Sequence, residues 1–518
     1  MVVSDQRAVI DWLSRPSTHG PDCDDVARVD THAAVVFLAG TRALKLKRAV
    51  KYDYLDFSTP ERRRACCEAE LRLNRRTAPS LYRRVRPIVR DPAGRLAFDG
   101  PGTPVDWVLE MTRFPDDALC DRLAGRGDLP LEAMPALAEA VASLHALAER
   151  RPDKGGAAGL RWVIDGNDSA FQAFATPVGP PGRTTALTVT ARAWLDRQAI
   201  LLDERRDSGL VRQCHGDLHL RNLVMLDGRP TPFDAVEFND DIACVDTGYD
   251  LSFLLMDLWH RRLPRHANAV LGEYLRITGD VELLAVLPLF LSCRAAVRAK
   301  VEATAAALQA AEARPALESA AREYLDLALA FLEPPAPVLV AVGGGSGTGK
   351  STLAAALAPR LGAAPGAWLL RSDVERKALF GVSPRTRLPG VAYSAATSAR
   401  VYAGVRVEAR LALDAGHSVV CDAVFGHPDE RAEMARVAAD AGVPFVGLWL
   451  DLPEEAAIAR VSTRGHDASD ADAAVVRTQR RTLVPATDWV RVNASGDATD
   501  TLARATGALR PWLDRAAP

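Results

Sequence analysis

The sequence is short of lysine, of aromatic residues and of net charge, and each shortage narrows the field. Its 64 basic residues stand against 66 acidic ones, a formal charge of −2. A balance this even argues against a general nucleic-acid or membrane-surface binder, although a local basic groove is still allowed. Only seven lysines occur, at 45, 47, 51, 154, 300, 350 and 377, so a lysine inside a motif is seldom incidental. The eight cysteines (23, 66, 67, 120, 214, 244, 293, 421) show no C-x-x-C or Cys/His metal spacing, which points to reduced thiols in a cytoplasmic protein. The first residues, MVVSDQRAVIDWLSR, lack the apolar stretch and cleavage site of a signal peptide. The longest apolar run, 283–293, is too short to span a bilayer.

At 518 residues, with 48% hydrophobic and 25% charged, the chain is globular and too long for one core. The stretch Glu333-Pro334-Pro335-Ala336-Pro337 marks a linker, because proline blocks helix continuation. The expected organisation is residues 1–332, a linker at 333–337, and residues 338–518. In the first part, about 25–112 reads as strand-rich with a helix at 61–76, and 113–332 as mostly helical. Apolar runs at 33–38 and 43–47 flank Ala39-Gly40-Thr41-Arg42, a hairpin signal. A helical stretch at 294–332 is interrupted at Pro315. Residues 338–518 alternate strand and helix, the pattern of a parallel sheet covered by helices.

The stretch after Val342 reads Gly343-Gly344-Gly345-Ser346-Gly347-Thr348-Gly349-Lys350-Ser351-Thr352, a G-x-x-x-x-G-K-S sequence between an apolar strand and a helix. Glycines let backbone N–H groups converge on phosphate oxygens, and the helix turns its positive end toward them. In that chemistry Lys350 reaches the β/γ-phosphates and the Ser351 hydroxyl holds Mg²⁺. Asp373 follows the next strand, where a carboxylate can take a proton from a substrate hydroxyl. Arg376, three residues on, can fork onto an anionic group. Asp422 ends the strand 418–422 and suits a Mg²⁺-bound water, while Arg460 and Arg464 share a helix face able to close over phosphates. Together these features resemble the small P-loop kinases that include zeta toxins, gluconate-kinase-like enzymes and polynucleotide 5′-kinases. The resemblance, over about 338–493, implies Lys350 and Ser351 for ATP and magnesium, Asp373 as base, Arg376 for substrate, and Arg460 and Arg464 as lid arginines.

A second constellation lies at Cys214-His215-Gly216-Asp217-Leu218-His219-Leu220-Arg221-Asn222. Asp217 and Asn222 have the D-x-x-x-x-N spacing of kinase catalytic loops, and Asp234 arrives on a hairpin turned at Asp227-Gly228. The pattern H-G-D-x-H-x-x-N resembles the aminoglycoside-phosphotransferase and choline-kinase-like group, over about 28–332. That resemblance implies Asp217 as base, Asn222 and Asp234 as magnesium ligands, and His215 and His219 as supports. Upstream, Ala43-Leu44-Lys45 fits a kinase strand whose lysine pairs with ATP phosphates and with a helix glutamate; Lys47 competes by period two. Glu68 is the favoured partner and Glu70 the second choice. Residues 107–111 fall where an inter-lobe hinge would lie, and no G-x-G-x-x-G precedes Lys45. The carboxylates Asp234, Glu237, Asp240, Asp241, Asp246 and Asp250 suggest an acidic rim for a cationic acceptor, with bracing of the following helix the alternative for Asp246 and Asp250.

The expected architecture is therefore multidomain α/β and α+β: a bilobal protein-kinase-like fold followed by a P-loop NTPase parallel sheet sandwiched by helices. The expected function is a two-domain kinase using ATP and Mg²⁺, each half phosphorylating a small hydroxylated acceptor. Alternatives are one active kinase beside a nucleotide-binding regulator, a nucleic-acid 5′-end kinase, and drug phosphorylation by the first half.

Overall fold

The computed structural model describes residues 4–52, 55–173, 180–308, 312–463 and 468–513. The chain parts into two compact units, 1–163 with 197–257, and 164–196 with 258–518. The proline-rich stretch 333–337 thus lies inside the second unit, and the helices of 258–331 group with the sheet that follows them.

The first unit opens with helix α1 (Arg7–Leu13) and contains a six-stranded sheet. Its strands are β1 (Val26–Asp30), β2 (Ala34–Ala39), β3 (Arg42–Lys47), β6 (Tyr82–Arg90), β7 (Leu96–Phe98) and β8 (Thr103–Thr112), with a two-strand pair, β4 (Lys51–Tyr52) and β5 (Leu55–Asp56), between. The order is β1-β2-β3-β8-β6-β7, antiparallel throughout. The expected hairpin turns at Gly40, whose φ of 56° suits glycine. Between β1 and β2 the Thr31 N–H closes onto the Ala34 carbonyl at 2.9 Å, so a tight turn stands where kinases carry a glycine-rich loop. The hinge expected at 107–111 is corrected: those residues lie within β8, between β3 and β6, with Val108 and Leu109 fully buried.

Helix α2 (Pro60–Asn74) crosses this sheet. Pro60 starts it and the Thr59 hydroxyl accepts from the Arg62 N–H at 3.3 Å. Its buried positions, Arg63, Cys67, Glu70, Leu73 and Asn74, recur every three or four residues and define one face. Arg63 anchors that face to β8 through a two-pronged pair with Asp106 (2.8 and 3.0 Å), both side chains buried. The unit continues through α3 (Met134–Leu147), β9 (Val211–Gln213), the hairpin β10 (Leu223–Leu226) and β11 (Arg229–Pro232), β12 (Cys244–Asp246) and the start of α4 (Thr247–His260).

The second unit holds α5 (Pro264–Thr278), α6 (Leu283–Leu308) and α7 (Arg314–Phe331). Pro315 sits in the first turn of α7, where its missing N–H has no intrahelical role. Next come β13 (Leu339–Gly344), α8 (Lys350–Leu357), β14 (Trp368–Arg371), α9 (Ser372–Leu379), α10 (Ala395–Asp414) and β15 (Val419–Asp422). The chain then runs through α11 (Pro428–Asp440), β16 (Phe445–Asp451), α12 (Glu454–Thr463), α13 (Ala473–Thr482), β17 (Val490–Asn493) and α14 (Ala498–Leu513). Five strands pair in parallel in the order β14-β15-β13-β16-β17. All six residues of β13 are buried, as expected of a central parallel strand covered on both faces. Strand order reverses at β13, and ligands of open α/β sheets bind at the carboxyl ends beside such a reversal.

Burial in this unit also leaves a pH signature. Glu408 on α10 carries a buried Oε2 with no hydrogen-bond partner among the described residues, and burial followed by the nearby Glu375 raises its pKa to about 7. The folded form therefore holds a proton that the unfolded chain releases near the ordinary glutamate value of 4.5. Stability should fall as pH rises from about 4.5 to 7 and then level off, by up to about 3 kcal/mol. Glu408→Gln should raise the thermal midpoint at pH 8 and leave it unchanged at pH 4.

Candidate phosphotransfer sites

In the first unit, β3, α2 and the segment after β11 bring five charged side chains together. The Lys45 ammonium lies 2.8 Å from Glu70 Oε1 and also meets Asp234 Oδ1, 189 residues away in the chain. Lys47, on the same strand face, pairs with Glu70 and with Glu237. Burial is the largest influence on Lys45 and lowers its pKa, but Asp234, Glu70 and Glu237 together outweigh it and hold the ammonium well above the usual lysine value. For Asp234 burial pushes up, while the Lys45 charge and hydrogen bond pull its carboxyl below the ordinary range.

The carboxylate that meets Lys45 is Glu70, which corrects the expectation of Glu68. Glu68 is half exposed and pairs with Arg64 at 2.8 Å. The reason is helical phase: Glu70 follows Arg63 by seven residues and Cys67 by three, so it shares their buried face, whereas Glu68 points to solvent. Glu70→Ala removes the carboxylate that two ammonium groups share, leaving Lys45 with Asp234 and Lys47 with Glu237, and should cost up to about 3 kcal/mol. Glu68→Ala should stay within about 0.5 kcal/mol. Urea unfolding of the two variants checks the contrast.

The segment 215–222 is held from behind by α4. The buried Asp250 carboxylate accepts the His215 N–H (3.1 Å) and Gly216 N–H (2.8 Å), and lies 3.1 Å from His145 Nε2. Seven residues on, two helical turns away, Asp257 accepts the Leu220 N–H at 2.9 Å. Burial keeps the His215 pKa below its usual value. A neutral His215 can then donate from Nε2 to the Phe233 carbonyl (2.9 Å) and accept the Asp217 N–H at Nδ1 (3.4 Å). So braced, the loop presents Asp217 with its side chain 42% exposed. Asn222 donates its amide nitrogen to the Asp217 carbonyl and carboxylate, both at 2.9 Å, and these bonds leave its oxygen, an atom able to hold a hard cation, unused by them. His219 Nε2 lies 3.3 Å from Asp217. Asp234 is in the left-handed region (φ 62°), with its N–H on the Tyr82 hydroxyl at 2.9 Å. Asn74 Oδ1 accepts the next N–H, that of Ala235, at 2.8 Å.

This cluster fits a divalent cation. Two ammonium groups, Lys45 and Lys47, face three carboxylates, Glu70, Asp234 and Glu237, leaving one negative charge in excess before Asp217 is counted. Asn222 and Asp234 supply the hard oxygen donors that magnesium prefers. The acidic rim, by contrast, dissolves. Glu237 pairs with Lys47, Asp240 with Arg151 (2.9 Å), Asp241 with Lys154 (2.6 Å) and Asp246 with Arg205 (2.8 Å), while Asp250 holds backbone. With these carboxylates paired, the rim gives no preference for a cationic acceptor. The sequence reading passed over Tyr82, Asn74 and Asp257.

In the second unit the loop 344–349 joins β13 to α8. Gly344, Gly347 and Gly349 have positive φ, and a Cβ on Gly347 would lie 2.5 Å from the Ala457 carbonyl oxygen, so only glycine fits there. Gly345 supplies a carbonyl that accepts Thr348 Oγ1 (2.8 Å) and Lys350 Nζ (3.0 Å). Ser346 donates its N–H to Gln479 Oε1 at 2.7 Å. Ser351 and Thr352 occupy the first turn of α8. Asp422 ends β15 in register with Val342 of β13 and lies 3.3 Å from Arg371. Asp373 begins α9; burial first and then Asp422 raise its pKa, against Lys350, a Ser469 hydrogen bond and Arg371. Asp373, Asp422 and Lys350 thus share one electrostatic neighbourhood at the sheet's carboxyl edge.

The arginines behave differently from the sequence reading. Arg376 is 6% exposed. It donates to the Ala392 carbonyl (2.7 Å) and Ser398 Oγ (3.3 Å) and stacks 4.9 Å from the Tyr393 ring, leaving its buried Nε without a hydrogen-bond partner among the described residues. Arg460 binds the carbonyls of Thr348 (3.4 Å), Ala494 and Gly496 (both 2.9 Å), so it props the phosphate loop rather than standing open over it. Arg464 lies outside the described residues. Asp470, which the sequence reading missed, accepts from Lys377 (3.0 Å), the Leu388 N–H (2.9 Å) and Tyr393 Oη (2.6 Å).

Fold and site thus define a kinase-like unit joined to a P-loop sheet. The family described as "AAA domain" (AAA_33) matches residues 339–486. The chain belongs to the family of the uncharacterized protein Rv2004c of Mycobacterium tuberculosis (strain H37Rv), being 31% identical over 456 residues that cover 86% of this chain and 88% of that one. Among solved structures, a choline/ethanolamine kinase family protein from Mesorhizobium loti is 14% identical and covers 63% of this chain and 94% of its own, at a TM-score of 0.37. A gluconokinase from Sinorhizobium meliloti 1021 is 20% identical and covers 34% and 94%, at 0.26. Among the described residues no helix is long and apolar enough to cross a membrane.

Proposed function

We propose that this chain is a two-domain ATP-dependent phosphotransferase, with one catalytic half in 1–332 and the other in 338–518, each passing a γ-phosphoryl group to a hydroxyl of a small molecule. The observation that carries the reading is the meeting of Lys45, Glu70 and Asp234 beside the Asp217–Asn222 loop. Lys45 steers the phosphates of ATP, Asp217 takes the acceptor's hydroxyl proton, and Asn222 and Asp234 hold magnesium, which neutralises charge on the transferring group. In the second half Lys350 and the loop N–H groups hold the phosphates, Ser351 and Asp422 hold the metal, and Asp373 is the base. The raised pKa of Asp373 suits a proton acceptor, and turnover by this half should rise with pH through a value above the usual carboxylate range. A cytoplasmic setting, where ATP is held and thiols stay reduced, completes the reading.

The test is an ATP-consumption screen over hydroxylated metabolites, aminoglycosides and nucleic-acid ends with the full chain and its Asp217→Ala, Asp373→Ala and double variants. The proposal expects each single variant to lose turnover with one acceptor class and the double variant to lose all of it. Acceptor-dependent turnover that survives in the double variant refutes it.

A further inference from the structure

The backbone N–H groups of residues 233–236 in the first unit are each caught by a different partner. Phe233 donates to the Asn222 carbonyl at 3.0 Å and Val236 to the His215 carbonyl at 2.8 Å, which ties the outer two to the backbone of the Asp217 segment. The inner two go to side chains: Asp234 to the Tyr82 hydroxyl (2.9 Å) and Ala235 to Asn74 Oδ1 (2.8 Å). Tyr82, from β6, is 1% exposed, and Asn74, the last residue of α2, is 0% exposed. Asn74 is itself fixed, because its Nδ2 donates to the Glu70 carbonyl one turn earlier at 2.9 Å. Just beyond it, Arg76 donates to the Gln213 carbonyl (2.8 Å) and Thr77 Oγ1 to the Pro232 carbonyl (2.7 Å). The end of α2 is thus stitched to the segments that carry Asp217 and Asp234.

Asp234 needs such support. Its φ of 62° lies in the left-handed region, which a residue with a Cβ holds only where its surroundings over-determine the backbone. A return to negative φ would turn the peptide and carry the carboxylate away from Lys45. Without Tyr82 and Asn74 the two inner N–H groups lose their acceptors, and the segment gains a reason to turn. We propose that Tyr82 and Asn74 are positioning residues for Asp234, holding its backbone so that the carboxylate meets Lys45 and stays available to magnesium. Helix α2 then sets two groups of the first centre from one face: Lys45 through Glu70, and Asp234 through Asn74. The inference rests on the reading of Asp234 as a magnesium ligand and adds the two residues that govern its affinity for the metal.

The experiment titrates the full chain, in a Lys350→Ala background that removes the other nucleotide site, with a non-hydrolysable ATP analogue by calorimetry, once with Mg²⁺ and once with EDTA. Tyr82→Phe and Asn74→Ala should each bind the analogue about three- to tenfold more weakly in Mg²⁺, the worth of one hydrogen bond, and as the parent chain does in EDTA. A merely structural role would weaken binding in both conditions alike. Tyr82→Phe keeps the ring and its packing, so it decides the matter if Asn74→Ala does not fold. Parent-like binding in Mg²⁺ by Tyr82→Phe overturns the proposal, and so does an equal loss with and without the metal. Asp234→Asn in the same background tests the underlying reading separately. If it binds the analogue in Mg²⁺ as tightly as the parent chain, Asp234 is no metal ligand, which is a different result from an unresponsive Tyr82.

Discussion

Asp250→Ala is expected to abolish acceptor-dependent turnover by the first half while leaving nucleotide binding at the P-loop intact. Asp250 is 0% exposed, and its two oxygens accept two backbone N–H groups of the catalytic loop and face His145. Truncation leaves buried donors unsatisfied, each costing about 1–3 kcal/mol, so the whole change should reach roughly 3–5 kcal/mol. It also frees the loop that carries Asp217, and a displacement of about 1 Å at a reacting group costs about a hundredfold in rate. Asp250→Asn keeps an acceptor oxygen and should fall between the two. Thermal midpoints together with turnover of each half distinguish this from general unfolding, which would remove both activities at once.

Lys350→Ala should lower turnover by the second half at least about a hundredfold, from loss of a charge aimed at the developing phosphate charge. The loop itself should survive, since its shape is set by glycines at positive φ and by bonds such as Thr348 Oγ1 to the Gly345 carbonyl. The reciprocal Lys45→Ala should act on the first half. It also leaves Glu70, Asp234 and Glu237 facing the single ammonium of Lys47, so its cost in stability should be at least that of Glu70→Ala. Turnover with the acceptor class of each half, measured for both variants, should show the two losses to be independent.

How far the sequence could be read follows from where information is local. The Gly-rich loop, the parallel alternation 338–450 and the D-x-x-x-x-N segment are short-range patterns, and each stands in the structure at its expected place. The choice between Glu68 and Glu70 depended on helix phase. Arg63, Cys67, Glu70 and Leu73 carry that phase in their spacing, yet a buried arginine and a buried glutamate hide it from a hydrophobicity pattern. Asp250 and Asp257 were open to a similar reading, as two carboxylates seven apart on an otherwise apolar helix. The acidic rim failed for another reason. Each carboxylate finds its partner far away in sequence, Asp246 at Arg205 and Glu237 at Lys47, and such pairings exist only once the fold has formed. Gln479 and Asp470 carried no signal at all, since a single glutamine or aspartate becomes informative only when a loop N–H or lysine is seen against it.

The account stands on two separate phosphotransfer centres in one chain. Calorimetric titration of the full chain with a non-hydrolysable ATP analogue and Mg²⁺ tests this most directly. Two molecules bound per chain are expected, falling to one in Lys45→Ala, to one in Lys350→Ala, and to none in the double variant. A single site in the wild type, or a stoichiometry that neither lysine changes, would contradict it.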